Sequence, residues 1–567
     1  MQEAPHGRRA AAPEPSPSGR GATTSTGRSA RADAGGADEH PAAAMGVSTR
    51  ERLSWIASAA VPSALLLGVT QYLTSQIAPT SLLWVLPLAL YLLTFIVAFA
   101  RRRLVSTERL SRLLAIVSVV AVLVMLARIV DPQWLVALLH LSLLTIACLL
   151  CHVRLADARP PASRLTEYYL LISTGGALGG SLSALVAPVL FDFIAEYPIA
   201  VALSCLFRVP FGSPRGKAAM SRWLFEGKTF DLVLPALLAL YMVSVVGVAR
   251  SIGEIPDGIM VLLVVVLPTI VVFTFSPRPV RFALGLSVLL AAAQSGQMYR
   301  GSVLHTDRTF FGVHRVTRDP GNTVTVLYHG STVHGVQSVD PARAAEPLGY
   351  YHPTGPAGSL TRAFAEQPEK RSMAIVGAGT GALTVLAGAH QHVTLYEIDP
   401  EVVWLAEESG LFTYLENASA THETVIADGR IALQQTTRRF DLIVLDAFSS
   451  GMIPTHLLTR EAFDLYLERL TSGGALLFHI SNRHLALERV LGSHARDLGL
   501  AAWEWLDVRS DEDIERGIFG SHWVLLGPTQ ESLGYVPLAG WRPLPLPPET
   551  RAWTDDFSDL LSVQRWN

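Results

Sequence analysis

Residues 373–387, MAIVGAGTGALTVLA, decide the fold of the second half of this chain. The apolar run before Gly377 reads as a buried strand. Gly377, Gly379 and Gly381 read as a tight turn, and the apolar run after them as a helix. Four further strand-like runs follow at helix-length spacing: HVTLYEIDP at 392–400, ETVIADGRIAL at 423–433, FDLIVLDAF at 440–448 and GGALLFHIS at 473–481. Strands alternating with helices imply a parallel, doubly wound sheet. Polar residues gather at the carboxyl ends of these strands, the edge where such sheets hold ligands.

Working outward, GVHRVTRD and NTVTVLYHGSTVHGVQ precede this region. Their β-branched residues and turn signals predict a small antiparallel β-domain over 302–355, ahead of a Rossmann-like α/β domain over 370–545. Earlier still, composition changes. The 567-residue chain is half hydrophobic and only 16% charged, where soluble domains run near a quarter charged. Apolar runs of bilayer length recur through 53–298. They predict a polytopic α-helical membrane domain of eight or nine helices, with candidate spans near 54–76, 81–100, 111–130, 134–152, 166–188, 191–207, 231–249, 258–276 and 281–298. Pro87 lies in one span, where a membrane helix tolerates it. STGGALGGSLSALVAP is rich in small residues, which suits close helix packing in lipid. Residues 1–50 hold almost no large apolar side chains and read as a disordered leader.

Loop charges alternate along the membrane region. Arg101–Arg103 with Arg109 and Arg112, then Arg154, Arg159 and Arg164, then Arg208, Arg215, Lys217, Arg222 and Lys228 form basic loops; Asp192 and Glu196 mark an acidic one. The positive-inside rule puts the N-terminus and basic loops in the cytoplasm. Nine crossings would leave the C-terminal domain outside; eight crossings and a cytoplasmic domain are expected, with 191–207 and 281–298 the weakest spans. Cys148, Cys151 and Cys205 all lie in apolar stretches and read as buried small side chains.

The glycine turn lets backbone amides approach a ligand at a helix N-terminus. Glu397 ends the next strand, about 20 residues on, placed for ribose hydroxyls; a surface acid is the alternative. Asp428-Gly429 ends the third strand, where an adenine amino group could be read. The order of these three features favours an adenosyl nucleotide such as S-adenosylmethionine. NAD is the rival, since its fingerprint begins alike. Asp446 closes the fourth strand on the same rim. It is the candidate general base, the alternative being a helix cap.

These residues resemble the spermidine synthase family of aminopropyltransferases, and the chain resembles its bacterial membrane-fused subgroup. The likeness runs from about 310 to about 485. VGAGTGAL is similar to the family's glycine-rich nucleotide loop, YEIDP to its ribose-binding segment, ADGR to its adenine site, and FDLIVLDAFSSGMIP to its catalytic strand and loop. The resemblance implies a methyltransferase-type Rossmann-like fold. It also implies a decarboxylated S-adenosylmethionine or S-adenosylmethionine co-substrate, ribose contact at Glu397, adenine contact at Asp428 and catalysis by Asp446. Thr380 stands where the family has an acid in the glycine loop, and Ser449 where it has a second aspartate. The family's acid-rich gate is replaced by a run holding Tyr328, His329, His334 and Gln337. Tyr328, His329, Gln337, Tyr351 and Ser449 are the candidate substrate contacts. Tyr350 and Tyr351 stand where the family closes its site with a tyrosine. No metal site is expected, because the spacing of His329 and His334 in one strand-like run puts them on opposite faces. The expected partners are the lipid bilayer and a small amine or other nucleophile, with no nucleic acid; a homo-oligomer is compatible with the sequence. A methyltransferase, and a nucleotide-binding transporter or sensor without chemistry, are the alternatives.

Overall fold

The computed structural model describes residues 47–77, 84–101, 105–127, 129–211, 227–252, 257–294, 301–330, 332–448, 453–482, 485–537 and 539–565. The leader to residue 46, the basic-loop residues Arg215, Lys217 and Arg222, and Ser449 lie outside them.

The first half is helical throughout: α1 (Thr49–Tyr72), α2 (Val85–Ala98), α3 (Thr107–Leu126), α4 (Gln133–Asp157), α5 (Leu165–Ser181), α6 (Ala187–Leu190), α7 (Glu196–Leu206), α8 (Phe230–Ile252), α9 (Asp257–Met260), α10 (Leu267–Thr274) and α11 (Pro279–Gln294). Short π-helical turns at Leu182–Val186 and Val261–Val266 join α5 to α6 and α9 to α10. The described residues therefore form nine rods, one at each expected span. Five are long and apolar enough to cross a membrane by length and composition. Their outward faces carry Leu138, Leu170, Leu185, Val189, Leu240 and Val243, all exposed. Pro87 falls in the first turn of α2, where its missing N–H has no partner to lose.

Gly175 and Gly179 on α5 show why the small-residue segment matters. A β-carbon at Gly175 would lie 2.4 Å from the Ile56 carbonyl oxygen, and one at Gly179 would lie 2.0 Å from that of Ala60. The GxxxG spacing puts both glycines on one helix face, so α5 and α1 meet backbone to backbone.

The two ends of the bundle differ in charge. At one end Arg208 donates to the carbonyls of Ser111 and Ser276 at 2.8 and 2.6 Å, and Arg154 donates to that of Phe207 at 2.6 Å. Arg278 and Arg281 pair with Asp231 there. At the other end Arg308, which ends the first β-strand, holds Glu196 through both carboxylate oxygens at 2.8 and 3.0 Å. It also donates to the Phe193 carbonyl at 2.9 Å. Helix α7 begins at Glu196 and ends beside Arg208; at 11 residues it is one of the shorter apolar helices. The β-domain attaches at its Glu196 end through Arg308.

That domain is a four-stranded antiparallel meander: β1 (Ser302–Arg308), β2 (Val313–Arg318), β3 (Val324–His329) and β4 (Thr332–Ser338). Val316 and Leu327 on its inner face pack with Leu405 and Phe412 of the following domain. After α12 (Pro356–Ala365) come β5 (Ser372–Val376), β6 (His392–Glu397), α13 (Pro400–Glu407), β7 (Thr421–Ile426), α14 (Gly429–Gln435), β8 (Phe440–Leu445), α15 (Arg460–Arg469), β9 (Leu470–His479), α16 (Leu487–Leu498), β10 (Ala501–Leu506), α17 (Asp511–Glu515), β11 (His522–Gly527) and β12 (Arg542–Pro543).

The sheet order is β12-β10-β11-β9-β8-β5-β6-β7. β7, β6, β5, β8 and β9 run parallel, as expected; β11 is antiparallel to both β9 and β10, and β12 is antiparallel to β10. The reversed β11 makes the sheet mixed, unlike the six-strand order of the dinucleotide fold. β8 is buried at every position, as a central strand covered on both faces must be. Past residue 545 the tail still belongs to this domain, with Trp553 and Val563 buried in its core.

Candidate active site

A cavity of about 350 Å³ opens at the carboxyl ends of β5, β6, β7 and β8, between this rim and the β-domain. Val376, Gly377, Gly379, Glu397, Asp428, Gly429 and Asp446 line it. Residues up to 70 positions apart thus reach one wall because parallel strands end together.

The glycine loop holds φ of +97° at Gly377, +51° at Gly379 and +77° at Gly381, a region costly for residues with a β-carbon. A β-carbon at Gly377 would also lie 2.5 Å from the Asp446 carbonyl oxygen. The loop leads into a 3-10 turn, Ala382–Leu386, and not the helix expected there. A single turn has little macrodipole, so the loop offers its exposed amides rather than a helix terminus.

Glu397 is buried, and its oxygens accept from the amides of Ala378, Ile398 and Asp399 at 3.0, 2.9 and 3.1 Å. Burial raises its pKa against the pull of these amides. A carboxylate has about four acceptor positions, so three amides leave room for one hydroxyl donor. Asp428 caps α14 by accepting from the Ile431 amide at 3.0 Å and faces His456 Nε2 at 3.1 Å. Gly429 is demanded by packing: its β-carbon would lie 2.4 Å from Val376 Cγ1.

Asp446 is not a helix cap. Its Oδ2 accepts from the Tyr351 hydroxyl at 2.8 Å and its Oδ1 faces His479 Nδ1 at 2.7 Å. His479 Nε2 lies 2.7 Å from Ser481 Oγ, which also accepts from the His522 amide at 2.8 Å. With Asp446 ionised, His479 donates from Nδ1 and accepts at Nε2 from the Ser481 hydroxyl; the network assigns this tautomer. The His479 ring stacks on Trp523 at 4.2 Å, with planes 6° apart. Burial, then the Asp446 charge, holds the Tyr351 phenol far above its usual pKa, so it stays a donor.

The remaining candidates divide. Tyr351 and His329 line the cavity, while Tyr328 and Gln337 do not. Tyr328 lies under the Arg315 guanidinium. Gln337 clasps the two domains, accepting from the Thr413 amide at 2.9 Å and donating to the Ala344 carbonyl at 2.8 Å. Thr380 packs against β4, where a β-carbon at Gly335 would lie 2.3 Å from Thr380 Cγ2. His329 and His334 were expected on opposite faces of one strand. They belong to two strands of a hairpin, and their rings lie 5.2 Å apart. His314 adds a third ring 4.7 Å from His329. No group of three or more residues fit to hold a metal occurs among the described residues.

Four cavity residues escaped the sequence reading. His479 and Ser481 sit in the quoted run GGALLFHIS, and their place at a strand's carboxyl end was the available signal. His314 and Asp399 pair at 2.7 Å across 85 residues, for which no local signal exists. Burial pushes the Asp399 pKa up, but hydrogen bonds from His314 and Thr309 outweigh it and hold the carboxyl below its ordinary range.

Fold and rim together define an α/β domain of the Rossmann-like class, its parallel sheet extended by the reversed strands β11 and β12 with β10 between them, and with a carboxylate-lined cavity. No family model matches the chain. It is similar to the polyamine aminopropyltransferase of Vibrio vulnificus (strain CMCP6), at 31% identity over 118 residues, 19% of this chain. The match spans 38% of the length of that relative. Among solved structures it is similar to the spermidine synthase of Thermotoga maritima, with 14% identity and a TM-score of 0.29 over 45% of this chain and 81% of that one. A spermidine synthase in complex with the transition state analogue AdoDATO matches at 13% identity and a TM-score of 0.29, over 45% of this chain and 81% of that one.

Proposed function

We propose that this chain is a multi-pass membrane transferase whose C-terminal domain moves an aminopropyl or related group from an adenosylsulfonium nucleotide to an amine or other nucleophile. The observation that supports it best is Asp446: it shares one cavity with the glycine loop, Glu397 and Asp428, and its carboxylate is aimed by Tyr351 and His479. The partial likeness to a polyamine aminopropyltransferase agrees with this reading.

The chemistry asks little covalent help. The acceptor lone pair attacks the carbon bonded to the sulfonium, that C–S bond breaks, and its electron pair leaves on sulfur as a neutral thioether. The protein holds the two partners in line and takes the acceptor proton. Asp446 spends two acceptor positions on Tyr351 and His479 and keeps others for that proton. The Glu397 lone pair left by the three amides suits a ribose hydroxyl, and the strained glycine loop suits close approach of the nucleotide.

The cavity also favours the decarboxylated nucleotide over the intact one. Among the described residues its lining holds Glu397, Asp399, Asp428 and Asp446 and no Lys or Arg. Intact S-adenosylmethionine would bring a further carboxylate without a cation to meet it. That observation weighs against a methyltransferase. Calorimetry with both nucleotides tests it, with the decarboxylated form expected to bind at least about tenfold tighter; tighter binding of the intact form would overturn the aminopropyl reading. Asp446→Asn is expected to lower turnover by roughly 10²–10⁴-fold while nucleotide affinity holds. Normal turnover in that variant would end its role as base.

On this reading the partners are the bilayer, the nucleotide and a small acceptor; nucleic acid has no part. The catalytic domain is cytoplasmic on this reading, where adenosyl nucleotides are made, and the Arg308–Glu196 pair ties its β-domain to α7.

A further inference from the structure

The acceptor end of the cavity has a chemistry of its own. Resting on the transferase reading above, we propose that this site takes an acceptor with a single amine on an apolar body and rejects diamines. A diamine loses one proton to the base and keeps a second ammonium that is not consumed. That group must find a free carboxylate or lose its hydration uncompensated.

Each of the four lining carboxylates already accepts hydrogen bonds within the fold, and the positions left on Glu397 and Asp446 are those the nucleotide and the reacting amine would take. Glu397 accepts from three backbone amides. Asp399 accepts from Thr309 and His314 on one oxygen, at 2.6 and 2.7 Å, and from the Glu401 amide on the other, at 3.0 Å. Asp428 is engaged by Ile431 and His456 on the far rim. Asp446 is bound by Tyr351 and His479 and takes the reacting amine.

Among the described residues, the wall contributed by the β-domain carries no acid. It presents Phe311, Leu327, Val333, His314, His329 and His334. Burial, and next the charge of His314, lowers His329 to about 4, and burial with neighbouring histidines lowers His334 to about 3. Both rings are therefore neutral near pH 7. His334 Nε2, shielded from solvent, has no hydrogen-bond partner. Tyr350 and Phe448 flank His479 at ring distances of 5.4 and 4.7 Å and extend the apolar surface toward Asp446. A neutral, aromatic and aliphatic wall beside one base suits one ammonium with a hydrocarbon tail.

The test uses the full chain in detergent with decarboxylated S-adenosylmethionine and a matched pair of acceptors, butylamine and 1,4-diaminobutane. Methylthioadenosine is read by mass spectrometry. Butylamine is expected to exceed the diamine by at least about tenfold in kcat/KM, equivalent to about 1.4 kcal/mol. In the His334→Glu variant, which puts an acid on this wall, the ratio is expected to move toward the diamine. Equal or better use of the diamine by the native chain overturns the proposal while leaving the transferase reading intact. Bound nucleotide with no methylthioadenosine from either amine overturns the transferase reading, and the proposal with it. As a second measurement, calorimetry of the two amines with methylthioadenosine present is expected to show the same order of affinity; tighter diamine binding overturns the proposal independently of turnover.

Discussion

Asp446 and His479 meet at 2.7 Å although 33 residues separate them, and the consequence is kinetic. On the proposed mechanism Asp446 is the base and His479 acts through its hydrogen bond to it, as a positioning residue. His479→Gln is expected to cost on the order of 10²-fold in kcat with little change in KM, and to alter the pH profile of kcat/KM. A KM effect alone, measured by steady-state kinetics, would mean that the ring only packs on Trp523. Stability should carry a second residue-scale signature. In the unfolded chain His329 and His334 titrate near 6.5, whereas in the fold they are lowered to about 4 and about 3. Below 6.5 the unfolded state binds protons that the folded state refuses. Stability is thus full above about pH 6.5 and is lost as pH falls toward those lower values. Thermal unfolding followed by tryptophan fluorescence should show a lower midpoint at pH 4.5 than at pH 7.5. His334→Gln should shrink that difference.

At the scale of elements, strand ends and helix faces were legible and their partners were not. The period-2 and apolar patterns locate all five parallel strands, because a central strand such as β8 must be apolar on both faces. The turn after Gly381 was read as a helix because ALTVLA has helical composition; the structure spends those residues on one 3-10 turn before β6. The run was read as part of a small antiparallel sheet, but the spacing of His329 and His334 was judged as if both lay in one strand, which put them on opposite faces and hid their contact across the β3–β4 hairpin. Two glycine sites carry predictions of their own. Gly377→Ala is expected to destabilise the domain by about 1–3 kcal/mol from φ strain, and more once the clash with the Asp446 carbonyl is added, as denaturant titration would show. Gly179→Leu should separate α1 from α5 and lower the melting temperature of the detergent-solubilised protein. An unchanged temperature would mean the helices do not depend on that approach.

At the scale of the whole molecule, the bundle and the β-domain are joined by a buried ion pair, with Arg308 and Glu196 exposing only 8% and 6% of their side chains. Removing one partner of such a pair leaves an uncompensated charge and costs about 3–5 kcal/mol. Glu196→Gln is therefore expected to loosen the β-domain from the bundle, seen as faster proteolysis in the segment between α11 and β1. A C-terminal reporter is expected to be active on the cytoplasmic side, where adenosyl nucleotide is supplied; activity on the other side alone would overturn that placement.

Local pattern alone determined the two halves of this chain, the nine apolar rods, the parallel strands and the rim positions of the glycine loop, Glu397, Asp428 and Asp446. Those features follow from periodicity and from strand ends, which each segment encodes by itself. Tertiary structure decided what the pattern could not hold: the reversed β11, the His479 and Tyr351 that aim Asp446, the histidine wall, the placing of Tyr328 and Gln337 away from the cavity, and the end of the bundle to which the domain is tied. Each of these is a pairing between distant residues, set by packing and by the need to satisfy buried polar groups, and no single stretch of sequence carries both partners.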